Sequence, residues 1–296
     1  MCYSLKDVNT QTLETVQAAL VSIFSECFPD ESPSFIVEIT DSVKSMFDGR
    51  YKSYGKVTTE YHDREHTFQA TLCMARLMEG RILSREHPPL TSRDFRVGLA
   101  AILLHDVGYL KDAGDYEGTG AKYTLEHEER SVTIATIYLK ENGWATRDIR
   151  WVVDLIRCTG PRSLINQLDF ENQIEQFLAR AVCSADYLGQ MADYQYLEKL
   201  PILFQEFEES DNFQNIPVEK RMFRSAEDLI EKTPGFWGFV QKKVLEQDCG
   251  GVFRYLQRPL DDPNTTNPYL EKIERNIRKI QTMVEQDRVS QFLASE

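Results

Sequence analysis

The sequence predicts an all-α protein built as a multi-helix bundle, and three observations carry that prediction. Apolar residues recur at helical spacing along most of the chain, convincing strand alternation is absent, and cap residues stand where the apolar stripes begin and end. With 296 residues, 42% of them hydrophobic, the chain can bury a substantial core, and its composition is neither disordered, collagenous nor that of a disulfide scaffold. No internal repeat or low-complexity linker divides it, so a single domain of about ten helices over residues 1–296 is expected.

The first helix to stand out starts near Glu60 and carries Phe68, Leu72, Ala75, Met78 and Ile82 along one apolar stripe. A second opens at the capping-box pattern Thr91 to Asp94 and runs through "FRVGLAAILL"; being apolar on all sides, it belongs at the buried centre. The glycine-rich segment "KDAGDYEGTGAKY" breaks the pattern and is expected to form a mobile rim. A third helix spans roughly Thr124 to Asn142 and stops at Gly143. A fourth covers about 147–158. A fifth starts near Asn172 and turns Ile174, Phe177, Leu178, Ala181, Val182, Ala185 and Leu188 inward. "YLEKLPILFQEFEE" is another, interrupted by Pro201. The last begins at Asn267 and Pro268 with Leu270, Ile273, Ile277, Ile280 and Val284 at heptad-like spacing. That stripe either packs on its own domain or pairs two chains, which leaves a homodimer open.

A net charge of −13 argues against a nucleic-acid polymer as partner, because phosphate-backbone affinity comes mainly from Lys and Arg. The six cysteines (Cys2, Cys27, Cys73, Cys158, Cys183 and Cys249) lie far apart with no CxxC pair, as reduced thiols of a cytoplasmic protein do. The N-terminus "MCYSLKDVNT" lacks a basic-then-apolar signal, and the longest apolar run, Val97 to Leu104, is far short of a membrane span.

"LLHDVGYLKD", residues 103–112, takes the buried second helix straight into a His-Asp pair. A buried charge must be paired or bound to a cation. Alone, His105 and Asp106 would read as a buried hydrogen-bonded pair. The chain has only five histidines, however, and three more stand in comparable places: His62 and His66 four residues apart in "YHDREH", and His127 in "LEHEER" at the start of the third helix. Metal-competent side chains on three helices, each beside an apolar stripe, are what a site inside a bundle requires.

These residues resemble the pattern of the HD superfamily of metal-dependent phosphohydrolases: a histidine, a His-Asp doublet, and an aspartate on a later helix. His66, His105, Asp106 and, in "CSADYLGQ", Asp186 fall on that pattern as implied metal ligands. The resemblance spans roughly residues 55–210 and leaves 211–296 as a C-terminal helical extension packed on that core. "YHDREHTFQAT" is similar to the Tyr-His-Asn-x-x-His signature of the cyclic-nucleotide phosphodiesterases, which implies His62 as the acid that protonates the leaving oxygen. "FQEF", residues 204–207, is similar to the Glu-Phe that follows the metal aspartate in those enzymes. Asp63 replaces their Asn, and Tyr109 stands where they have a further histidine. "HDVGYLKD" is closer to the HD-GYP type, in which a lysine after the doublet touches phosphate; Lys111 stands near that place, but the paired histidines of that type are missing around "IRCTGPRS".

The resemblance implies hydrolysis of a phosphodiester or phosphomonoester bond, of a nucleotide or cyclic nucleotide, by water activated at one or two divalent ions. Two imidazoles and two carboxylates without a thiolate suit Mn, Fe or Mg, with Ni and Zn also able to bind. His127 either ligates a second ion, with Asp106 bridging, or orients a water. Two other readings use the same residues. "HDREH" is similar to the zinc-protease HExxH, but Asp63 is one methylene shorter than the general-base Glu. A non-enzymatic HD-type signalling or scaffold domain would also be acidic and helical; four filled ligand positions favour the hydrolase.

Overall fold

The apolar stripes fold as helices around a buried central one. The computed structural model describes residues 8–160, 163–257 and 266–295, and among them no strand occurs. The α-helices are α1 (Leu13–Cys27), α2 (Ser34–Phe47), α3 (Arg64–Leu83), α4 (Ser92–Leu104), α5 (His127–Glu141), α6 (Thr146–Ile156), α7 (Gln173–Met191), α8 (Tyr196–Phe213), α9 (Ala226–Phe239), α10 (Pro268–Glu285) and α11 (Val289–Leu293). The all-α multi-helix bundle read from the sequence is what forms. One contiguous hydrophobic core runs from Leu13 to Val289.

α4 is the centre. Thr91 and Asp94 make both halves of the capping box, every residue from Phe95 to Leu104 except Arg96 is buried, and the helix packs on α3, α6 and α7. It delivers the His-Asp doublet at its C-terminal end, where the carbonyl dipole favours a cation. α3 and α7 cross closely: a Cβ on Gly189 would stand 2.7 Å from the Ala70 backbone, so only glycine permits that approach.

Several boundaries differ from the sequence reading. α3 starts at Arg64, not near Glu60, because Asp63 is extended and its carboxylate caps the helix by accepting from the His66 N–H at 2.9 Å. His62 therefore precedes the helix and does not share a face with His66. Residues Gly120–Tyr123 form their own 3-10 turn, so α5 begins at His127 and ends before Gly143, whose φ of +72° suits glycine. Pro201 does not interrupt α8. It lies in the second turn, where the ladder loses one donor, the one that would reach Leu197 O, and the helix continues.

The C-terminal stripe is used within the chain. Ile273, Ile277 and Ile280 are buried, Leu270 and Val284 lean on the core, and α10 lies against α7 and α9. With the stripe used in this way, nothing in the structure supports a coiled-coil homodimer through it. The glycine-rich rim is also tied down rather than loose. Lys111 Nζ donates to the Glu117 and Gly118 carbonyls at 3.2 and 2.7 Å, Lys122 Nζ to Asp115 and Glu117 O, and the Thr119 N–H and hydroxyl to Glu209 on α8. Glycine count alone cannot register two buried lysines that gather the loop's own carbonyls. None of the five described cysteines forms a disulfide, and Cys2 lies outside the described residues. No described helix is long and apolar enough to cross a membrane.

Candidate metal centre

Three elements converge on one buried point. His66 comes from the first turn of α3, His105 and Asp106 from the end of α4, and their ligand atoms all lie within 4.8 Å of one another. Asp106 Oδ2 stands 3.1 Å from His66 Nε2 and 3.2 Å from His105 Nε2. Asp186, from α7, brings Oδ1 within 3.4 and 3.5 Å of the same two nitrogens without belonging to that tight group. Ligands each about 2.1 Å from an ion stand about 3.0 Å apart at right angles and about 3.4 Å apart at the tetrahedral angle, so this spacing is that of a coordination shell.

The hydrogen bonds fit the same account. His105 Nδ1 donates to Ile102 O at 2.7 Å, which leaves Nε2 as the lone-pair nitrogen of the neutral ring. That nitrogen, both ring nitrogens of His66 and Asp106 Oδ2 are buried without a hydrogen bond. A lone pair facing a carboxylate oxygen at about 3 Å is repulsive unless a proton or a cation lies between them. Burial opposes charge on His66, but Asp106 and Asp186 overcome it and raise its pKa to about 10. His105 is shifted upward in the same way against its own burial. Both carboxyls resist ionisation by burial, yet the imidazoles hold Asp106 and Asp186 well below the ordinary carboxylate range. A divalent ion would satisfy these orphaned atoms together, and the donor set of nitrogen and oxygen suits one.

A surrounding shell orients the set. Gly160 N–H donates to Asp186 Oδ2 at 3.3 Å, and Gln190 Nε2 donates to the Asp186 carbonyl at 3.1 Å. Tyr61 hydroxyl donates in turn to Gln190 Oε1 at 2.8 Å. The turn Val107–Tyr109 after the doublet abuts the start of α5 so tightly that a Cβ on Gly108 would meet His127 O at 2.0 Å. Ser131 accepts from the Gly108 N–H, and Arg130 donates to the Gly108 and Leu110 carbonyls. His127 is thereby set beside the doublet. Its Nδ1 donates to Thr124 O at 2.7 Å, and its Nε2 faces Asp106 Oδ1 at 3.6 Å, on the carboxylate oxygen that the other imidazoles do not approach.

His62 stands apart from the tight group. Its Nδ1 pairs with Glu206 Oε2 at 2.6 Å, and Glu206 also accepts from the Tyr61 N–H at 2.7 Å. With its side chain 15% exposed against 4% for His66 and 1% for His105, it is the most open of these three imidazoles. The HExxH reading fails here, since His62 is neither on the helix nor turned to share an ion with His66. The Lys111 ammonium is given to the loop carbonyls of Glu117 and Gly118. Sequence reasoning gave no role to Glu206, although "FQEF" contains it, nor to Glu128, a buried carboxylate whose Oε1 would lie 2.4 Å from a Cβ on Gly160. Its only signal was adjacency to His127.

A family model described as Npun_R2479-like matches residues 145–258, a stretch that includes Asp186 and Glu206 but not His62, His66, His105 or Asp106. No curated protein matches the chain.

Proposed function

We propose that the protein is a metal-dependent phosphohydrolase that cleaves a phosphate ester, with a nucleotide or cyclic nucleotide as substrate. The observation that carries this reading is the group of buried, unsatisfied ligand atoms on His66, His105 and Asp106, with Asp186 beside them. A divalent ion held there supplies a water of lowered pKa and positive charge for the phosphoryl oxygens. The remaining steps belong to the side chains. Asp186 is kept pointing inward by Gly160 and Gln190, so its ligand oxygen needs little reorganisation. His62, held at Nδ1 by Glu206, keeps Nε2 as the nitrogen that passes a proton to the departing alkoxide. His127 stands as the neighbour of Asp106 Oδ1, where it orients a water or ligates a second ion.

The ion site and the nearby imidazole support a hydrolase; the phosphate-ester class and the nucleotide both come from the resemblance of "YHDREH" and "LLHDVGY" to the HD-type phosphohydrolases. The test is direct. Purified protein should carry at least one Mn, Fe, Mg, Ni or Zn ion per chain and hydrolyse bis(p-nitrophenyl) phosphate. Asp106→Ala should lose both properties. Protein that refuses all five ions, or hydrolysis that survives Asp106→Ala unchanged, would overturn the proposal.

A further inference from the structure

Tyr109 is fully buried, and its ring lies against two imidazoles at once. The centroids of Tyr109 and His62 are 4.8 Å apart at an interplanar angle of 18°, and those of Tyr109 and His127 are 4.8 Å apart at 17°. The two imidazoles are 6.4 Å from each other, so the three rings form one cluster around the tyrosine. Each imidazole otherwise has one strong hydrogen bond, from Nδ1: His62 to Glu206 and His127 to Thr124 O. One such bond fixes a single ring atom, and the edge-on contacts of His62 with Tyr61 and His66, at centroid distances of 5.1 and 5.5 Å, still leave its plane some freedom to tilt. A flat aromatic face removes that freedom, because offset stacking is favourable only while the planes stay close to parallel.

Tyr109 is itself fixed with respect to the doublet. It ends the Val107–Tyr109 turn, its N–H donates to Asp106 O at 3.1 Å, and its carbonyl is so close to the next turn that a Cβ on Gly120 would meet it at 2.1 Å. The ring therefore transmits the position of Asp106 to both imidazoles. We infer that Tyr109 is a positioning residue whose ring sets the planes of His62 and His127 relative to Asp106, an inference that rests on the acid role proposed for His62. Its hydroxyl is not what the role needs; the aromatic face is.

The test compares Tyr109→Leu, which removes the face, with Tyr109→Phe, which keeps it. With metal content unchanged, Tyr109→Leu should lower kcat on a 3′,5′-cyclic nucleotide, whose leaving group is an alkoxide, by about tenfold or more, while bis(p-nitrophenyl) phosphate falls by no more than about threefold. Tyr109→Phe should recover most of the cyclic-nucleotide rate. Equal losses on the two esters, or no rescue by phenylalanine, would overturn the inference. If Tyr109→Leu fails to fold, the unbranched Tyr109→Met takes its place. A readout independent of catalysis is the carbon–proton spectrum of the histidine rings in the zinc-loaded protein. The stacked tyrosine should shift the His62 and His127 ring protons upfield, and the leucine or methionine variant should return and broaden them while His66 and His105 stay. Rings unmoved by the substitution would overturn the inference whatever the rates. If the wild-type protein hydrolyses neither ester, the proposed function fails, and the spectra alone decide whether Tyr109 holds the rings.

Discussion

Uptake of a divalent ion by the metal-free protein should release protons and tighten steeply with pH. In the metal-free site burial works against charge on His66, but Asp106 and Asp186 keep a proton there and raise its pKa to about 10. Only the deprotonated ring can ligate, so binding must displace that proton. At pH 7 the ring lies about three units below its pKa, which weakens apparent affinity about a thousandfold, or by about 4 kcal/mol. Affinity should then rise about tenfold per pH unit toward pH 10, and faster wherever His105, also shifted upward, is charged as well. The assay is calorimetric titration of Mn²⁺ into chelator-treated protein, in pairs of buffers with different ionisation enthalpies, at about pH 7 and again at about pH 8.5. One or more protons released per ion at the lower pH is the expected result. An affinity flat across this range, or no proton release, would refute the reasoning, because it would mean that no proton occupies the place the ion takes.

Stability should show the complementary sign. His66 has a folded pKa above its unfolded value of 6.5, so its contribution is complete below that value and is lost as pH rises toward 10; thermal melts of metal-free protein should fall across this window. Asp106 and Asp186, both shifted downward, should add stability above their unfolded value of 3.8 and lose it as pH falls below that. Glu206→Gln should keep the metal, as elemental analysis would report, yet lower the rate on an alkyl phosphodiester by about 10- to 100-fold, since it removes the charged partner 2.6 Å from His62 Nδ1. Hydrolysis of bis(p-nitrophenyl) phosphate should fall less. Gly108→Ala should destabilise by about 3 kcal/mol, because its methyl would meet His127 O at 2.0 Å; a melting temperature unchanged within about 2 °C would contradict that close approach.

What was legible in the sequence is what depends on neighbours within a few turns. The capping box at Thr91, the caps at Asn172 and Asn267 and the buried stripe of α4 were all readable, because the groups that satisfy one another lie two to four residues apart. The same locality misled at Asp63. A carboxylate five residues before the first apolar residue of the stripe, Phe68, can extend a helix or cap it; here Asp63 caps it, and His62, outside the helix, pairs with Glu206. It misled again at the rim, where Lys111 and Lys122 are ordinary exposed residues by type and become buried because the loop folds its carbonyls onto them.

The site divides along the same line. His66 and the His105-Asp106 doublet could be picked out because they stand at the ends of helices whose apolar stripes fix their direction, whereas Asp186 was marked only by the resemblance to the HD pattern. Once α3, α4 and α7 pack, their meeting follows from the stripes. The groups that would give the site a direction, distinguishing a leaving side from a metal side, are joined over long separations. His62 and Glu206 are 144 residues apart, Thr119 and Glu209 are 90 apart, and Tyr109 reaches His62 from the far end of the doublet's turn. No periodicity records such a pair, since neither partner constrains the residue types around the other. A helical bundle thus writes its ion site into its helix faces and leaves the placement of its acid to loops. For that reason the proposed ligand set draws on geometry and resemblance together, whereas the roles proposed for His62, Glu206 and Tyr109 rest on how differently an alkoxide and a nitrophenolate respond to their removal.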